Sequence, residues 1–204
     1  MKTIFVSGAD GFIGSHLVEK LISCNFKVKA LCYYNSQNSY GWLENIKNKN
    51  SSNLNVEHGD VRNFSSFNKL VSESEIVLHL AALIAIPYSY NTPDSYIDTN
   101  IKGTYNILES SKINKIKKII VTSTSEVYGT AKKIPITEDH ILQPQSPYSA
   151  SKISADNLSM AYYYSYKLPI SIIRPFNTFG PRQSARAVIP TIISQIASGR
   201  KSLK

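Results

Sequence analysis

Short apolar runs alternate along this chain with longer segments in which apolar positions recur every three or four residues. Short apolar runs bounded by polar residues or glycine are typical of buried strands, whereas the longer periodic segments are typical of helices. The predicted strands are 3–7, 27–32, 54–58, 76–80, 119–121 and 169–174. This alternation of strands and helices predicts an α/β fold, a Rossmann-type doubly wound parallel sheet.

Predicted helices connect these strands. They cover residues 15–22, 93–112 and 148–166, and a last helix opens at 189. Residues 35–53 are rich in Asn and Ser, which predicts a surface excursion with one short helix around Trp42. Ligands of doubly wound sheets bind beyond the carboxyl ends of the strands, so we expect the functional site at that edge.

The turn after the first predicted strand carries glycine at every third position, Gly8, Gly11 and Gly14. Gly8 permits a tight turn, Gly11 lets the backbone approach a pyrophosphate, and Gly14 lets the helix pack closely on the strand. The helix that follows offers unpaired N–H groups and the positive end of its dipole to phosphates. The turn predicts a dinucleotide site formed by Gly8, Gly11, Phe12, Ile13 and Gly14.

The ends of the third and fourth predicted strands add residues to this cofactor site. Asp60 and Val61 follow the third strand. Asp60 is predicted to contact the adenine amino group, and the competing interpretation is an aspartate that caps a turn or helix. Leu80, Ala81 and Ala82 end the fourth strand, where small residues let a cofactor ribose approach the backbone.

The second predicted strand leaves the type of cofactor open. NAD binders normally carry an acid at its end for the adenosine ribose. This chain has Tyr33, Tyr34 and Asn35 there, with no acid and no arginine close by to receive the 2′-phosphate of NADP. The predicted cofactor is therefore NAD or NADP.

Hydroxyl, carboxylate and amine groups follow the fifth predicted strand. Thr124 and Glu126 come directly after it, and Tyr148 and Lys152 lie four residues apart in a predicted helix. This spacing places both on one helix face, about 6 Å apart along the axis. An ammonium lowers the pKa of a nearby phenol, so we predict that Tyr148 is a proton acceptor, with Thr124 or Ser123 holding the substrate oxygen. Such a set suits removal of hydride and protons from a carbinol.

Asn100 is predicted to face inwards from the helix 93–112. We predict that it anchors a water molecule or backbone group behind Lys152 in the cofactor site. The competing interpretation is a buried structural asparagine. For Tyr148 and Lys152 alone, the competing interpretation is a solvated pair on a helix surface.

Composition and charge limit the class of protein. The chain has 204 residues, 42% hydrophobic and 18% charged, as in soluble globular domains. No apolar run reaches the roughly 20 residues of a membrane span, and no signal peptide is evident, so we predict a cytoplasmic protein with no membrane partner. The net charge of +9 comes largely from scattered lysines without a nucleic-acid module, so no nucleic-acid partner is predicted. A positive field would instead attract an anionic nucleotide sugar.

Cysteine and histidine positions do not indicate a metal site. Cys24 and Cys32 are predicted to be buried packing residues rather than a disulfide or metal pair. The four histidines lack metal-ligand spacing, so no metal is predicted.

Four motifs together resemble the extended short-chain dehydrogenase/reductases that act on nucleotide sugars. They are the glycine turn, residues 123–129, the Tyr148-x-x-x-Lys152 pair and residues 174–177. The resemblance covers essentially the whole chain. Over residues 123–131, 143–152 and 174–190 it is strongest to the N-acetylglucosamine-nucleotide 4,6-dehydratases of the legionaminic acid pathway. Ser125 resembles the middle residue of Thr-Ser-Glu in GDP-mannose 4,6-dehydratase and departs from the Thr-Asp-Glu of dTDP-glucose dehydratases.

The resemblance implies a 4,6-dehydratase acting on a GDP- or UDP-N-acetylglucosamine type of substrate. In that mechanism Tyr148 takes the O4 proton while Thr124 orients the hydroxyl, and hydride passes from C4 to the nicotinamide. Glu126 then removes the C5 proton, water leaves from C6, and the hydride returns to C6. Lys152 holds the nicotinamide ribose.

The resemblance also implies substrate contacts, domains and partners. Ser125 and Asn177 would contact the substrate, Asn177 at its diphosphate. Residues 1–175 would form the NAD(P)-binding Rossmann domain, and residues 176–204 the start of a C-terminal substrate lobe that is largely missing. A homodimer formed through the helices that hold Tyr148 and Asn100 is implied as well.

Three alternatives remain open. The same motifs resemble those of nucleotide-sugar C4 epimerases, which do not firmly need Glu126, and of UDP-glucuronate decarboxylases. Because members of the family are longer, a truncated and catalytically silent cofactor-binding fragment is the third alternative.

Overall fold

A computed structural model describes residues 1–44, 46, 52–200 and 202. Six parallel strands form one sheet in the order β3-β2-β1-β4-β5-β6. The strands are β1 (Thr3–Ser7), β2 (Lys27–Tyr33), β3 (Leu54–Gly59), β4 (Ile76–His79), β5 (Lys118–Thr122) and β6 (Ile170–Ile173). The predicted doubly wound parallel sheet is confirmed, and each predicted strand is present within two residues of its expected ends.

Helices connect the strands on both faces of the sheet. They are α1 (Phe12–Ser23), α2 (Asn68–Ser72), α3 (Ile86–Asn91), α4 (Pro93–Tyr96), α5 (Gly103–Ile113), α6 (Pro147–Tyr166) and α7 (Val188–Ala197). A π-helical segment, Ile97–Lys102, joins α4 directly to α5, so the predicted helix 93–112 is one continuous helix with a π-bulge. The short helices α2 and α3 were not predicted. In the excursion 35–53, the expected short helix is a 3₁₀ turn at Gly41–Leu43, and residues 45 and 47–51 lie outside the described residues.

The period-two pattern of β1 divides the core between the two sheet faces. Ile4 and Val6 join a buried cluster with Val18 of α1 on one face. Phe5 joins a second cluster on the other face, which includes Ile107 of α5. Alternate strand residues point to opposite faces, so a strand buried on both faces reads as a continuous apolar run.

The segment after β6 packs loosely on this body. α7 has no buried residue, although its sequence is strongly apolar. Arg182 attaches the segment to α1 by donating to Ser15 Oγ at 3.2 Å and to Glu19 Oε1 at 2.7 Å. His16 Nε2 lies 3.1 Å from the carbonyl oxygen of Pro181.

The cysteine prediction is wrong in part. Cys32 is buried in β2, but Cys24 is exposed because α1 ends at the surface just before it. Neither cysteine forms a disulfide bond with a described residue. Among the described residues, no cluster of three or more His, Cys, Asp or Glu could hold a metal, and no described helix is long and apolar enough to cross a membrane.

Candidate functional site

A pocket of about 900 Å³ opens at the carboxyl edge of the sheet. This is the edge at which doubly wound sheets bind ligands. The predicted site residues that line it are Gly8, Gly11, Phe12, Ile13, Gly14, Asp60, Val61, Leu80, Ala81, Ala82, Thr124, Ser125, Glu126, Tyr148, Lys152 and Asn177. The structure therefore brings together every predicted site residue except Asn100.

The glycine turn packs so closely on neighbouring backbone that Gly8 and Gly14 leave no room for a side chain. Gly8 has φ +66°, and a Cβ there would lie 2.8 Å from the backbone nitrogen of Ala81. A Cβ at Gly14 would lie 2.1 Å from the carbonyl oxygen of Gly8. Gly11 is the N-cap of α1, with no side-chain cap and no acid in the first turn, so the helix start is open to an anion. This cradle fits the pyrophosphate of a dinucleotide.

Helix α6 positions Tyr148 and Lys152. Ser146 and Ser149 form a reciprocal capping box at its start, with both hydrogen bonds at 3.0 Å. Pro147 occupies the first turn, where its missing N–H costs nothing. Tyr148 thus lies at the positive end of the helix dipole, which favours a phenolate.

The structure contradicts the predicted lowering of the Tyr148 pKa. Burial raises the pKa of Tyr148, and nearby Glu126 adds to the increase, while a side-chain hydrogen bond with Thr124 opposes it. Lys152 is not among the groups that shift this pKa, and its Nζ donates instead to the carbonyl oxygen of Thr122 at 2.7 Å. The prediction that the ammonium dominates is wrong, because it left out the cost of burying a phenolate.

Lys152 is itself strongly affected by burial. Its side chain is 3% exposed, and burial lowers its pKa to about 8. Asp156, one helical turn further along α6, raises the pKa of Lys152 in opposition. Lys152 therefore remains an ammonium near neutral pH.

Thr124 and Glu126 are joined through the backbone at the end of β5. Thr124 caps the 3₁₀ turn Ser125–Tyr128, and its Oγ1 accepts from the Glu126 N–H at 3.2 Å. Thr124 is buried, whereas Glu126 is exposed towards the pocket that both line. The hydrogen bond by which Thr124 caps this turn therefore positions both the Thr124 hydroxyl and the Glu126 carboxylate beside Tyr148. Thr124, Glu126, Tyr148 and Lys152 are called the Tyr148 end of the pocket below.

An ion pair between the buried Asp156 and the half-buried Arg174 lies behind this end of the pocket. Asp156 is 1% exposed, and its Oδ2 accepts from Arg174 Nε at 3.0 Å. Arg174 also donates to the Tyr128 hydroxyl at 3.0 Å. Asp156 Oδ1 and Ser123 Oγ are both buried and form no hydrogen bond with a described residue, although Ser123 lies close enough to lower the pKa of Asp156. Burial has the larger effect and raises the pKa of this carboxyl.

Asn100 lies behind the pocket wall rather than in it. Its side chain accepts from Leu83 N at 2.8 Å and donates to Leu83 O at 2.9 Å. It also donates to Ser151 Oγ at 2.9 Å. Asn100 anchors a backbone group as predicted, but that group belongs to the loop after β4. Direct contact with a cofactor is not supported, because Asn100 is 1% exposed and outside the pocket lining.

A buried histidine links the glycine turn to Asn100. Thr104 Oγ1 donates to the Asn100 carbonyl, so it accepts from His79 Nε2 at 3.1 Å. His79 Nδ1 then accepts from Ser7 Oγ at 2.7 Å, and Ser7 in turn accepts from the Ala81 N–H. This direction of donation requires a neutral imidazole, in agreement with a pKa that burial lowers to about 3.

The other end of the pocket is formed where β2 and β3 finish. Arg62 Nε lies 3.0 and 2.9 Å from the two Asp60 oxygens, and Arg62 Nη2 lies 2.6 Å from Oδ2. Asp60 also accepts from the Arg62 N–H, so it makes the turn that was one of its two predicted roles. Asp10, Tyr33, Asp60 and Arg62 all line this region, called the Tyr33 end below.

The expectation that no arginine lies near the end of the second strand is wrong. Arg62 Nη2 donates to the Tyr33 hydroxyl at 3.0 Å, and the guanidinium lies 5.9 Å from the Tyr33 ring centre. The two residues meet because β2 and β3 are neighbours, with Tyr33 paired to Gly59. Because the two residues are 29 positions apart in the sequence, their contact was not predicted.

Sequence reasoning also missed supporting residues. Asp156 had a usable signal, because it follows Lys152 by one helical turn. No signal in the sequence distinguishes Asp10 from an ordinary turn residue or His79 from an ordinary core residue. Arg182 lines the pocket from the segment after β6, which sequence spacing alone does not place there.

Comparisons with known proteins agree with this geometry. The family described as GDP-mannose 4,6 dehydratase matches residues 5–204. The dTDP-D-glucose 4,6-dehydratase of Homo sapiens is 34% identical over 205 residues, which cover 98% of this chain and 58% of that protein. The chain thus spans little more than half the length of this relative.

Two solved structures have the same fold. The UDP-N-acetylglucosamine 4-epimerase of Methanobrevibacter ruminantium M1, in complex with UDP-N-acetylmuramic acid, has a TM-score of 0.88 and 37% identity, covering 98% of this chain and 64% of that one. A double mutant of DesIV, the dTDP-glucose 4,6-dehydratase of Streptomyces venezuelae, with NAD and DAU bound, has a TM-score of 0.89 and 28% identity, covering 96% and 62%.

The predicted resemblance is confirmed at the level of the family. A dehydratase matches this chain in sequence, and solved structures of an epimerase and of a dehydratase share its fold. The chain belongs to the nucleotide-sugar 4,6-dehydratases and epimerases of the extended short-chain dehydrogenase/reductase family.

Proposed function

We propose that this protein is a 4,6-dehydratase that converts a GDP- or UDP-N-acetylglucosamine type of nucleotide sugar into its 4-keto-6-deoxy product. The observation that carries the proposal is the Glu126 carboxylate, which lines the same pocket as Thr124, Tyr148 and Lys152. Epimerisation at C4 needs an alcohol and a phenol at C4, but it needs no second base. A carboxylate beside them suits removal of a second proton, from C5.

The chain's own groups divide the reaction between them. Thr124 orients the C4 hydroxyl, and Tyr148 accepts its proton. Glu126 takes the proton from C5, which the new 4-keto group has made acidic, and passes it to the departing C6 hydroxyl, so that water leaves. Tyr148 then returns its proton to C5. A bound nicotinamide would supply a hydride acceptor for C4 and a hydride donor for C6, so no external oxidant would be consumed.

Lys152 and the start of α6 have supporting roles in this reaction. Lys152 is an ammonium near neutral pH and donates hydrogen bonds from its buried position, which suits a ribose hydroxyl of the cofactor. The Tyr148 phenolate is favoured by the dipole of α6 and by the positive charge of an oxidised nicotinamide. The family is NAD(P)-dependent, and both NAD and NADP fit the cradle at the glycine turn.

The remaining segments have proposed roles as well. Residues 1–175 form the cofactor-binding domain, and residues 176–204 begin the part that covers the sugar, where Asn177 and Arg182 line the pocket. Ser125 and Asn177 would contact the substrate. A homodimer through α5 and α6 is favoured by exposed tyrosines on these helices, Tyr105, Tyr163, Tyr164 and Tyr166. Sedimentation as a monomer at micromolar concentration would rule it out.

Product mass separates the candidate reactions. The protein is incubated with NAD or NADP and, separately, with GDP- and UDP-linked N-acetylglucosamine, dTDP-glucose and UDP-glucuronate. A dehydratase yields a product lighter by one water, an epimerase yields an isomer of equal mass, and a decarboxylase releases carbon dioxide. Cofactor binding without any product would identify a catalytically silent fragment instead.

Glu126→Gln tests the role of the carboxylate. We expect product formation to fall by about 10²-fold or more, because the C5 proton loses its acceptor, while reduced nicotinamide still forms from the C4 hydride. Glu138→Gln, an exposed glutamate on the loop before α6, is the matched control and should react normally. A Glu126→Gln protein that dehydrates the sugar at the parent rate would refute the proposal.

A further inference from the structure

The end of β2 lacks the carboxylate that NAD-binding sheets normally present to the adenosine ribose. β2 ends at Tyr33, and the next residues are uncharged. Asn35 cannot serve, because its side chain holds its own loop together. Its Nδ2 donates to Ser39 O at 2.7 Å, and its Oδ1 accepts from the N–H groups of Gln37 and Ser39, each at 3.1 Å.

A different acid lies against the end of this strand. Asp10 belongs to the glycine turn, and the preceding residue is tied to β2 because Ala9 N donates to Leu31 O at 3.3 Å. Asp10 therefore lies beside the last residues of β2. Burial raises the pKa of Asp10, and backbone hydrogen bonds at Asp10 and Tyr33 and the nearby His58 act in the opposite direction.

The surroundings of Asp10 form part of the cofactor pocket. Asp10 lines the pocket together with Gly8, Gly11 and Tyr33. Gly41 closes over it from the excursion after β2. A Cβ at Gly41 would lie 3.3 Å from Asp10 O and 3.4 Å from Asp10 Cβ, and φ +54° also favours glycine there. The acid thus has a position fixed by the turn and by its neighbours.

The charge balance at the Tyr33 end leaves Asp10 as the group that can discriminate between cofactors. Arg62, the cation next to Tyr33, is held by both oxygens of Asp60, so this pair has no net charge. Among the ion pairs of the described residues, none includes Asp10. A carboxylate accepts hydrogen bonds from ribose hydroxyls and repels a phosphate.

We propose that Asp10 supplies the carboxylate that receives the adenosine ribose hydroxyls, and that it makes NAD rather than NADP the preferred cofactor. The acid comes from the glycine turn instead of from the end of the second strand. This inference concerns cofactor binding alone and does not depend on which sugar the Tyr148 end transforms.

The test measures binding by titration calorimetry without any sugar. The ligands are NAD, NADP, ADP and 2′-deoxy-ADP, and the proteins are the parent chain, Asp10→Asn, Arg62→Gln and the exposed control Asp94→Asn. In the parent chain we expect NAD to bind at least about tenfold more tightly than NADP, and ADP about tenfold more tightly than 2′-deoxy-ADP, as for a hydrogen bond to a charged group.

Asp10→Asn should remove most of both preferences, whereas Asp94→Asn and Arg62→Gln should keep them. The affinity of Asp10→Asn for 2′-deoxy-ADP should equal that of the parent chain, because this ligand lacks the hydroxyl in question. That equality would show that the turn is intact. Two results would overturn the inference while leaving the dehydratase proposal in place. One is an Asp10→Asn protein that keeps its preference for NAD, and the other is a parent preference for NADP that Arg62→Gln removes.

Discussion

The two ends of the pocket are held together in different ways. At the Tyr148 end, Thr124, Tyr148 and Lys152 are buried, and Glu126 alone of the four is exposed towards the pocket. Contacts at this end and directly behind it join segments far apart in the chain. Lys152 reaches Thr122 across 30 residues, and Asn100 reaches Ser151 across 51. At the Tyr33 end, the main ion pair joins Asp60 to Arg62, two residues away, and the Arg62 side chain is 38% exposed.

This difference determines how strongly each end should respond to mutation. Water screens an exposed ion pair and competes for its hydrogen bonds, so such a pair contributes little to stability. A buried polar group lacks that alternative, and losing its partner costs much more. We therefore expect large changes in catalysis and pH dependence at the Tyr148 end, and changes confined to ligand choice at the Tyr33 end.

Removing the Tyr148 hydroxyl should give the largest effect. Tyr148→Phe keeps the ring in its buried position but removes the proton acceptor for O4, so we expect turnover to fall by about 10²- to 10⁴-fold. The dissociation constant for NAD should change by no more than a few fold. Product formation by mass spectrometry and calorimetric binding measure the two quantities.

The matched control is Tyr163→Phe, an exposed tyrosine on the same helix. It should leave both turnover and NAD binding unchanged. If Tyr148→Phe weakened NAD binding as much as it slowed turnover, the contrast between the two ends would fail, because the phenol would then act mainly in holding the cofactor.

The same contrast explains what could be predicted from sequence. Periodicity located every strand, and the spacing of Tyr148 and Lys152 placed both on one helix face, because both signals are local. The glycine turn and the hydroxyl groups after the fifth strand were also needed to predict that this face lines the pocket. The partners of Asn100 were not predictable, because Leu83 and Ser151 meet it only after the sheet and the π-bulge have formed.

At the Tyr33 end, the position of Arg62 could not be predicted from the sequence. Its approach to Tyr33 follows from the pairing of β2 with β3, which strand prediction alone does not supply. The predicted direction of the Tyr148 pKa shift was wrong for a different reason. The spacing identified a nearby cation correctly, but the sign of the shift depends on burial, which sequence spacing does not measure.

Lys152 should make stability depend on pH. Its pKa is about 8 in the folded protein, below the ordinary value of 10.5, so the unfolded chain binds more protons between pH 8 and 10.5. The contribution of Lys152 to the free energy of unfolding should therefore rise with pH across this window, by about 3 kcal/mol in total. The free energy of unfolding is measured in urea at each pH for the parent chain and for Lys152→Met. The difference between the two proteins isolates the contribution of Lys152. A difference that stays constant from pH 7.5 to 10.5 would contradict the buried ammonium.

Asp156→Asn should shift this window by a smaller amount. Asp156 raises the pKa of Lys152, so removing the charge of Asp156 should move the midpoint of the Lys152 contribution to lower pH. His79 also faces Lys152, but its imidazole is neutral above pH 3 and does not titrate in this range. The measurement repeats the pH series with Asp156→Asn, alone and combined with Lys152→Met. Ser159→Ala, which removes a buried hydroxyl from the same helix without changing charge, should leave the midpoint in place. An unchanged midpoint in Asp156→Asn would mean that Asp156 serves only to hold Arg174, and that burial alone sets the charge of Lys152.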